Sequence, residues 1–308
     1  MLPDPALRPA YDQAVWLYVY RDFSENKADR AAERICLRLG MTSYPQHLLI
    51  HPETLARLGD TGRQVDSFLA AMRQAKVEKA ATTDAADRTV AADQRAVALE
   101  RNPSVAAARK SVDDPDIVVR FRALAILAAR APEVVAARAE ELLEVPNDPF
   151  RYEVCHALAE AYAPRAKSDS VPAPNAIRAL EAVVVQPKES LNPNRLRCEA
   201  VSALARCGDA DTIPVLVPFA AGGWRNGLTS CTIDAIAAIA NRDPKAKPAA
   251  RAALAAAFPA PAADPGEAKQ VEALARHVHE ALTLITRKKV AFPYRYDLQA
   301  RQALSEAW

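Results

Sequence analysis

Apolar and polar positions follow two different patterns along the chain. From Ala14 to Tyr20, Ala-Val-Trp-Leu-Tyr-Val-Tyr is aromatic and β-branched and runs into polar Arg21-Asp22, which predicts a buried strand. Ala28, Ala31, Ala32, Ile35 and Leu39 then fall at helical spacing, and Gly40 stands where a helix C-cap is expected. Tyr44-Pro45 opens a second predicted strand over 46–50, and a short third covers 55–58, closed by Gly59 and Gly62. An amphipathic helix over 63–75 places Val65, Phe68, Leu69 and Met72 on one face. Residues 76–83 are polar and alanine-rich, a linker. From residue 84 onward the pattern is helical throughout.

Across that helical region a single frame recurs. Arg120, Ala123, Ile126 and Leu127 define it: arginine, then a small or apolar residue at +3, alanine or isoleucine at +6 and leucine at +7. Arg151, Val154, Ala157 and Leu158 repeat the frame, as do Arg197, Ala200, Ala203 and Leu204. Thr229, Thr232, Ala235 and Ile236 keep it without the arginine. The copies start 31, 46 and 32 residues apart, and the long interval holds a proline-rich insertion around Pro164 to Pro174. A second helix is expected after each copy, over 132–143, 175–185, 211–220 and 244–258. Helix starts are marked by Asp114-Pro115-Asp116, Asn147-Asp148-Pro149, Asn192-Pro193 and Asp243-Pro244, where an Asx side chain caps free N–H groups and proline suits the first turn. A closing helix is expected over 264–286, with Val271, Leu274, Val278, Leu282 and Ile285 on one stripe.

Paired helices at a period just above 30 residues resemble HEAT repeats, the best single copy being Leu196 to Leu216. The helical repeats of phycobilin lyases are similar, and the tail from Thr283 to Trp308 is similar to the ends of bacterial HEAT-repeat proteins. The order of elements in residues 4–75 resembles the C-terminal two-thirds of a thioredoxin-like domain, carried by Leu39 to Pro45, Leu48 to Pro52, Leu55 to Gly59 and Phe68-Leu69. That resemblance implies a cis-proline at Pro45 beside Tyr44, in a segment that pairs with extended peptides in the family. The family's first strands and its Cys-x-x-Cys helix would precede Met1, so the chain lacks the thiol pair that disulfide exchange requires. Cys36, late in a helix and without a partner in sequence, does not replace it.

Composition narrows the reading further. Among 308 residues there are only 8 glycines against 23 prolines, and alanine supplies roughly a fifth of the chain. Glycine-built phosphate loops and multi-stranded sandwiches are disfavoured; Gly222-Gly223-Trp224 with Gly227 lacks the preceding strand of a phosphate-binding fingerprint. A net charge of +2 provides no long-range attraction for nucleic acid. No apolar run reaches membrane-spanning length, and Met1 to Pro5 does not read as a signal peptide. The default expectation is a cytoplasmic location, or export if a leader precedes the chain. The five cysteines are odd in number, lack a Cys-x-x-Cys pair and read as reduced, buried thiols.

Candidate chemistry is sparse. His47 and His51 sit on a strand without a third ligand, and His277 and His279 read as surface residues. Glu140, Glu141 and Glu144 crowd one solvated stretch rather than opposing each other across a cleft. Arg120, Arg151 and Arg197 form either a basic ladder or a structural set that pairs with neighbouring repeats. Arg287-Lys288-Lys289 with Phe292 and Tyr294 mixes basic and aromatic groups at a helix end, where cations suit the dipole.

The expectation is therefore a mostly α protein: an α-solenoid of HEAT-like pairs over 84–308, preceded by a truncated thioredoxin-like α/β module over 1–75. No catalytic residue, cofactor or metal is assigned. The expected function is non-catalytic scaffolding for a protein or peptide partner, using a concave surface lined by second helices, with Tyr44 and Pro45 as a peptide-docking candidate. Two alternatives stand: a thiol-disulfide oxidoreductase-related protein with its Cys-x-x-Cys upstream, and a helical-repeat nucleic-acid binder.

Overall fold

The computed structural model describes residues 5–8, 27–42, 47–51, 57–61, 64–74, 84–162, 174–223, 225 and 227–308. These are mostly helical, and the chain divides into two compact units, residues 1–126 and 127–308. The predicted strand over 14–20, the Tyr44-Pro45 turn and the linker over 76–83 lie outside the described residues.

The first unit opens with a 3-10 turn, Pro5–Leu7, and continues with α1 (Lys27–Arg38), β1 (Leu48–Ile50), β2 (Arg57–Asp60) and α2 (Val65–Gln74). It goes on through α3 (Asp84–Arg101), α4 (Val105–Ser111) and the start of α5 (Ile117–Arg130). Gly40 ends α1 as expected, at φ +63°, with the Met41 N–H returning 2.9 Å to the Cys36 carbonyl. β1 and β2 pair antiparallel, with Leu48 opposite Asp60 and Leu49 opposite Gly59. β2 thus extends past the end expected at Leu58, because Gly59 takes part in the ladder instead of ending it.

The division near residue 126 differs from the sequence boundary near 80, and arginines supply the physical reason. Arg38 on α1 bridges Asp93 of α3 at 2.7 Å and Asp116 at 3.0 Å. Arg122 on α5 bridges Glu33 of α1 at 2.6 Å and Glu100 of α3 at 2.8 Å. Burial depresses the charged form of Arg38, but hydrogen bonds to Asp116 and Asp93 outweigh it and hold the guanidinium above its ordinary pKa. Helices that read as the start of a repeat array are in this way tied to the α/β segment.

In the second unit follow α6 (Pro132–Ala137), α7 (Ala139–Leu143), α8 (Asp148–Ala161), α9 (Pro174–Val185), α10 (Pro193–Cys207) and α11 (Ile213–Ala220). Then come α12 (Leu228–Arg242), α13 (Lys247–Ala256), α14 (Ala268–Thr286) and α15 (Leu298–Ala307). The starts carry the predicted caps: Asn147 Oδ1 accepts from the Phe150 N–H at 3.0 Å, Asn192 Oδ1 from the Arg195 N–H at 3.3 Å and Asp243 Oδ1 from the Lys245 N–H at 2.9 Å. The single helix expected over 132–143 is two, broken at Arg138, where φ is −112° and ψ 15°. Residues 298–307, which read as tail, form α15, capped by Asp297 on the Ala300 N–H at 2.9 Å.

Packing follows the repeat frame. Val154, Ala200 and Thr232 at +3 are buried, as are Leu158, Leu204 and Ile236 at +7. The first helices α8, α10, α12 and α14 each contact the next in that order. The second helices pair forward: α9 packs on α10, α11 on α12 and α13 on α14. Small residues at +3 and +6 permit this close approach. Gly208 shows how close it is, since a Cβ there would lie 2.7 Å from the Leu204 carbonyl oxygen and 3.1 Å from Ile239 Cδ1.

Candidate functional site

With few glycines to form left-handed C-caps, the helices of the second unit end on carbonyls that need other donors. The arginine position of the repeat frame provides them. Arg197 Nε donates to the Val184 carbonyl at 2.9 Å and Nη2 to that of Val185 at 3.2 Å, closing α9. Arg151 donates to the Glu144 carbonyl after α7 at 3.3 Å and to that of Lys188 at 2.6 Å. Thr229 takes the same position in the next copy, and its hydroxyl donates to the Phe219 carbonyl at 3.2 Å and the Gly223 carbonyl at 3.0 Å, closing α11. The copy without the arginine therefore keeps a donor. Arg242 adds a further closure on the carbonyls of Ala205, at 2.6 Å, and Gly208.

Arg151 is 2% exposed, and its burial pulls the guanidinium pKa below the ordinary value. Beside it Asp148, at 3.6 Å, accepts through Oδ2 from Ser190 Oγ at 2.9 Å and from the Leu191 and Asn192 N–H groups at 2.8 and 3.0 Å. This buried pair anchors the loop that leads into α10. Arg120 is half-buried on α5. As a set, the repeat-position side chains at 151, 197 and 229 point at backbone oxygens, where they hold helix ends.

Two faces of the second unit differ in charge. On the first helices, polar and charged side chains pair across neighbours: His156 Nε2 on α8 with Glu199 on α10 at 2.8 Å, Arg206 on α10 with Glu160 on α8 at 2.6 Å, and His277 on α14 with Asp234 on α12 at 3.0 Å. The hydrogen bond to Glu199 raises the His156 pKa, and the same bond lowers that of Glu199. Of the second helices, α11, Ile-Pro-Val-Leu-Val-Pro-Phe-Ala, has no charged residue, while α9 carries Arg178 and Glu181 and α13 carries Lys247 and Arg251. Pro214 and Pro218 are exposed there, and Val185, at the end of α9, is 58% exposed.

The remaining candidates are placed as follows. Among the described residues no three metal-ligating side chains come together. His51 is buried, and so is His279, contrary to its reading as a surface residue: its ring meets Phe292 at 5.4 Å and Trp308 at 5.3 Å, edge-on. Burial pushes its pKa down. Glu140, Glu141 and Glu144 are exposed, with Glu141 held by Arg138 at 2.6 Å. In the basic and aromatic tail, Arg276 covers Phe292 at 4.4 Å, Phe292 stacks on Tyr296 at 6.2 Å and Lys288 Nζ donates to the Ala307 carbonyl at 2.5 Å, while Arg287, Lys289 and Tyr294 are exposed. Tyr44 and Pro45 lie outside the described residues. An open depression along α14, lined by Glu272, Arg276, His277 and Glu280, mixes both signs of charge. Among the described residues no helix is long and apolar enough to cross a membrane.

Cys36, Cys155 and Cys207 are buried as expected, and desolvation raises the Cys207 thiol to about 12. Cys198 and Cys231 are only half-buried and meet each other, a proximity that their spacing of 33 residues does not signal. Comparison of the chain with protein-family models, curated proteins and solved structures finds no match.

Proposed function

We propose that residues 127–308 form the larger part of a HEAT-like α-solenoid that acts as a non-catalytic scaffold, docking a protein or peptide partner on the second-helix face. The observation that carries this reading is the contrast in charge. First helices pair charges across neighbours, whereas α11 carries no charged residue and presents Pro214 and Pro218, and Val185 is exposed at the end of α9. A low-charge face is what the buried centre of a protein interface requires. The ordered contacts α8 to α14, and the forward pairing of second helices, support the repeat reading. We read the segment from α1 through the β1–β2 hairpin to α2 as the remnant of a thioredoxin-like module, on the strength of its element order.

The test is affinity capture with the tagged full chain and two charge-introducing variants. Proteins retained by the wild type are expected to be lost with Val185→Glu combined with Pro218→Glu. They are expected to persist with Glu160→Lys on the first-helix face. Retention that survives the second-helix changes and is lost with Glu160→Lys would overturn the assignment of the face.

A further inference from the structure

Where first helices meet, the +2 residue of one copy reaches back to the preceding first helix. Glu199 fills this role in the third copy and pairs with His156. In the fourth copy the equivalent residue is Cys231, and what it meets is a second thiol, Cys198 on α10, with the two Sγ atoms 2.6 Å apart. Both cysteines are free and half-buried, so the pair is in contact and reachable from solvent. Cys155 and Cys207, by contrast, are enclosed.

We propose that Cys198 and Cys231 form a redox-sensitive dithiol, which a low-molecular-weight disulfide converts into a reversible bridge stapling α10 to α12. The chemistry balances with glutathione disulfide as oxidant. The Cys198 thiolate attacks one sulfur of the oxidant, breaking its S–S bond, forming a mixed disulfide and releasing one glutathione thiolate. The Cys231 thiolate then attacks the Cys198 sulfur and releases the second glutathione. The two protons lost by the cysteines end on the two glutathiones; the protein is oxidised by two electrons and the glutathione disulfide reduced by two. The same balance holds with the two cysteines exchanged, since the sulfurs are in contact and both residues are half-buried. Formation of the bridge needs no large helix movement, because the sulfurs already touch and a disulfide sets them about 2.05 Å apart.

The reaction can be followed on the full-length reduced chain incubated with glutathione disulfide, quenched in acid, alkylated after unfolding and analysed by intact mass and peptide mapping. The expected product has lost two hydrogens and yields one linked peptide pair containing Cys198 and Cys231, with Cys155 and Cys207 alkylated; dithiothreitol restores the starting mass. Cys198→Ala and Cys231→Ala, each confirmed as folded by circular dichroism, are expected to stop at a glutathione adduct on the remaining thiol. The bridge constrains the unfolded chain, so the oxidised wild type is expected to melt several degrees higher than the reduced form. A variant carrying both Cys198→Ala and Cys231→Ala should show no such shift. Stable glutathione adducts on both cysteines without linkage, linkage through another cysteine, or a bridged species that melts no higher than the reduced one would overturn the proposal.

Discussion

One set of arginines in each unit serves an opposite purpose to its counterpart in the other. In residues 1–126, Arg38 and Arg122 reach carboxylates outside their own helices, each arginine joining two acids far apart in sequence. In residues 127–308, Arg151, Arg197 and Arg242 reach backbone carbonyls at the ends of preceding helices. A carboxylate partner has to be encoded separately at each site. Helix-end carbonyls arise wherever a helix stops, so one donor per repeat suffices and the acceptor comes with the fold. This explains why a threonine can stand at position 229 in place of an arginine without loss of the contact. It also explains how the unit closes its helices with so little glycine.

The difference between the units is tested most severely at Arg151. Replacing it with methionine leaves the Glu144 and Lys188 carbonyls and the buried Asp148 carboxylate without their cation. A loss of about 3 kcal/mol is expected, read by urea denaturation, with faster hydrogen exchange at residues 190–192. Gly208→Ala comes next. Its Cβ would meet a backbone oxygen, so α10 or the turn after it must shift, at a cost of about 2 kcal/mol in the same assay. Conversion to alanine without loss would show that this turn has room to relax.

A direct contrast of the two arginine uses comes from Arg197→Met and Arg38→Met. Each is expected to cost about 1 kcal/mol. The Arg38 penalty should shrink in concentrated salt, because an ion pair is screened. That of Arg197, made to uncharged carbonyls, should change less. Equal salt sensitivity in denaturation curves would remove the distinction between the units.

The smallest effect is expected at the His156–Glu199 rung. Because the folded-state pKa of His156 is raised, its contribution is fully present below its unfolded pKa and fades as pH rises through the folded value. Glu199 is lowered, so its share is present above its unfolded pKa and fades as pH falls through the folded one. The rung therefore acts from mildly acidic pH to just above the ordinary histidine range. His156 is 58% exposed, and only a slight drop in melting temperature between pH 6 and pH 8 is expected, absent in His156→Gln.

Much of the second unit is legible in the residues alone. The Asx caps at Asn147, Asn192 and Asp243 and the buried frame positions at +3 and +7 depend on residues within two turns of one another. The break at Arg138 and the helix after Asp297 are not legible, for different reasons. The stretch 132–143 has unbroken helical periodicity, so nothing marks Arg138. In the tail, Pro293 and the aromatics that precede Asp297 mask an ordinary helix start. In the first unit Gly59 reads as a terminator, because glycine in isolation does not reveal that it faces Leu49 across a ladder.

Local sequence is enough to specify where most helices of the second unit begin, which faces they bury and which residue recurs in each repeat. All three rest on interactions spanning a few residues, which any short stretch of chain can satisfy. Packing in three dimensions settles the rest: each second helix lies forward on the next first helix, and the repeat-position donors close helix ends. Packing also brings Cys198 against Cys231 and lets arginines tie α3 and α5 to α1. Those outcomes join residues between 7 and 89 positions apart, and distances of that kind become short only when neighbouring faces have been buried together.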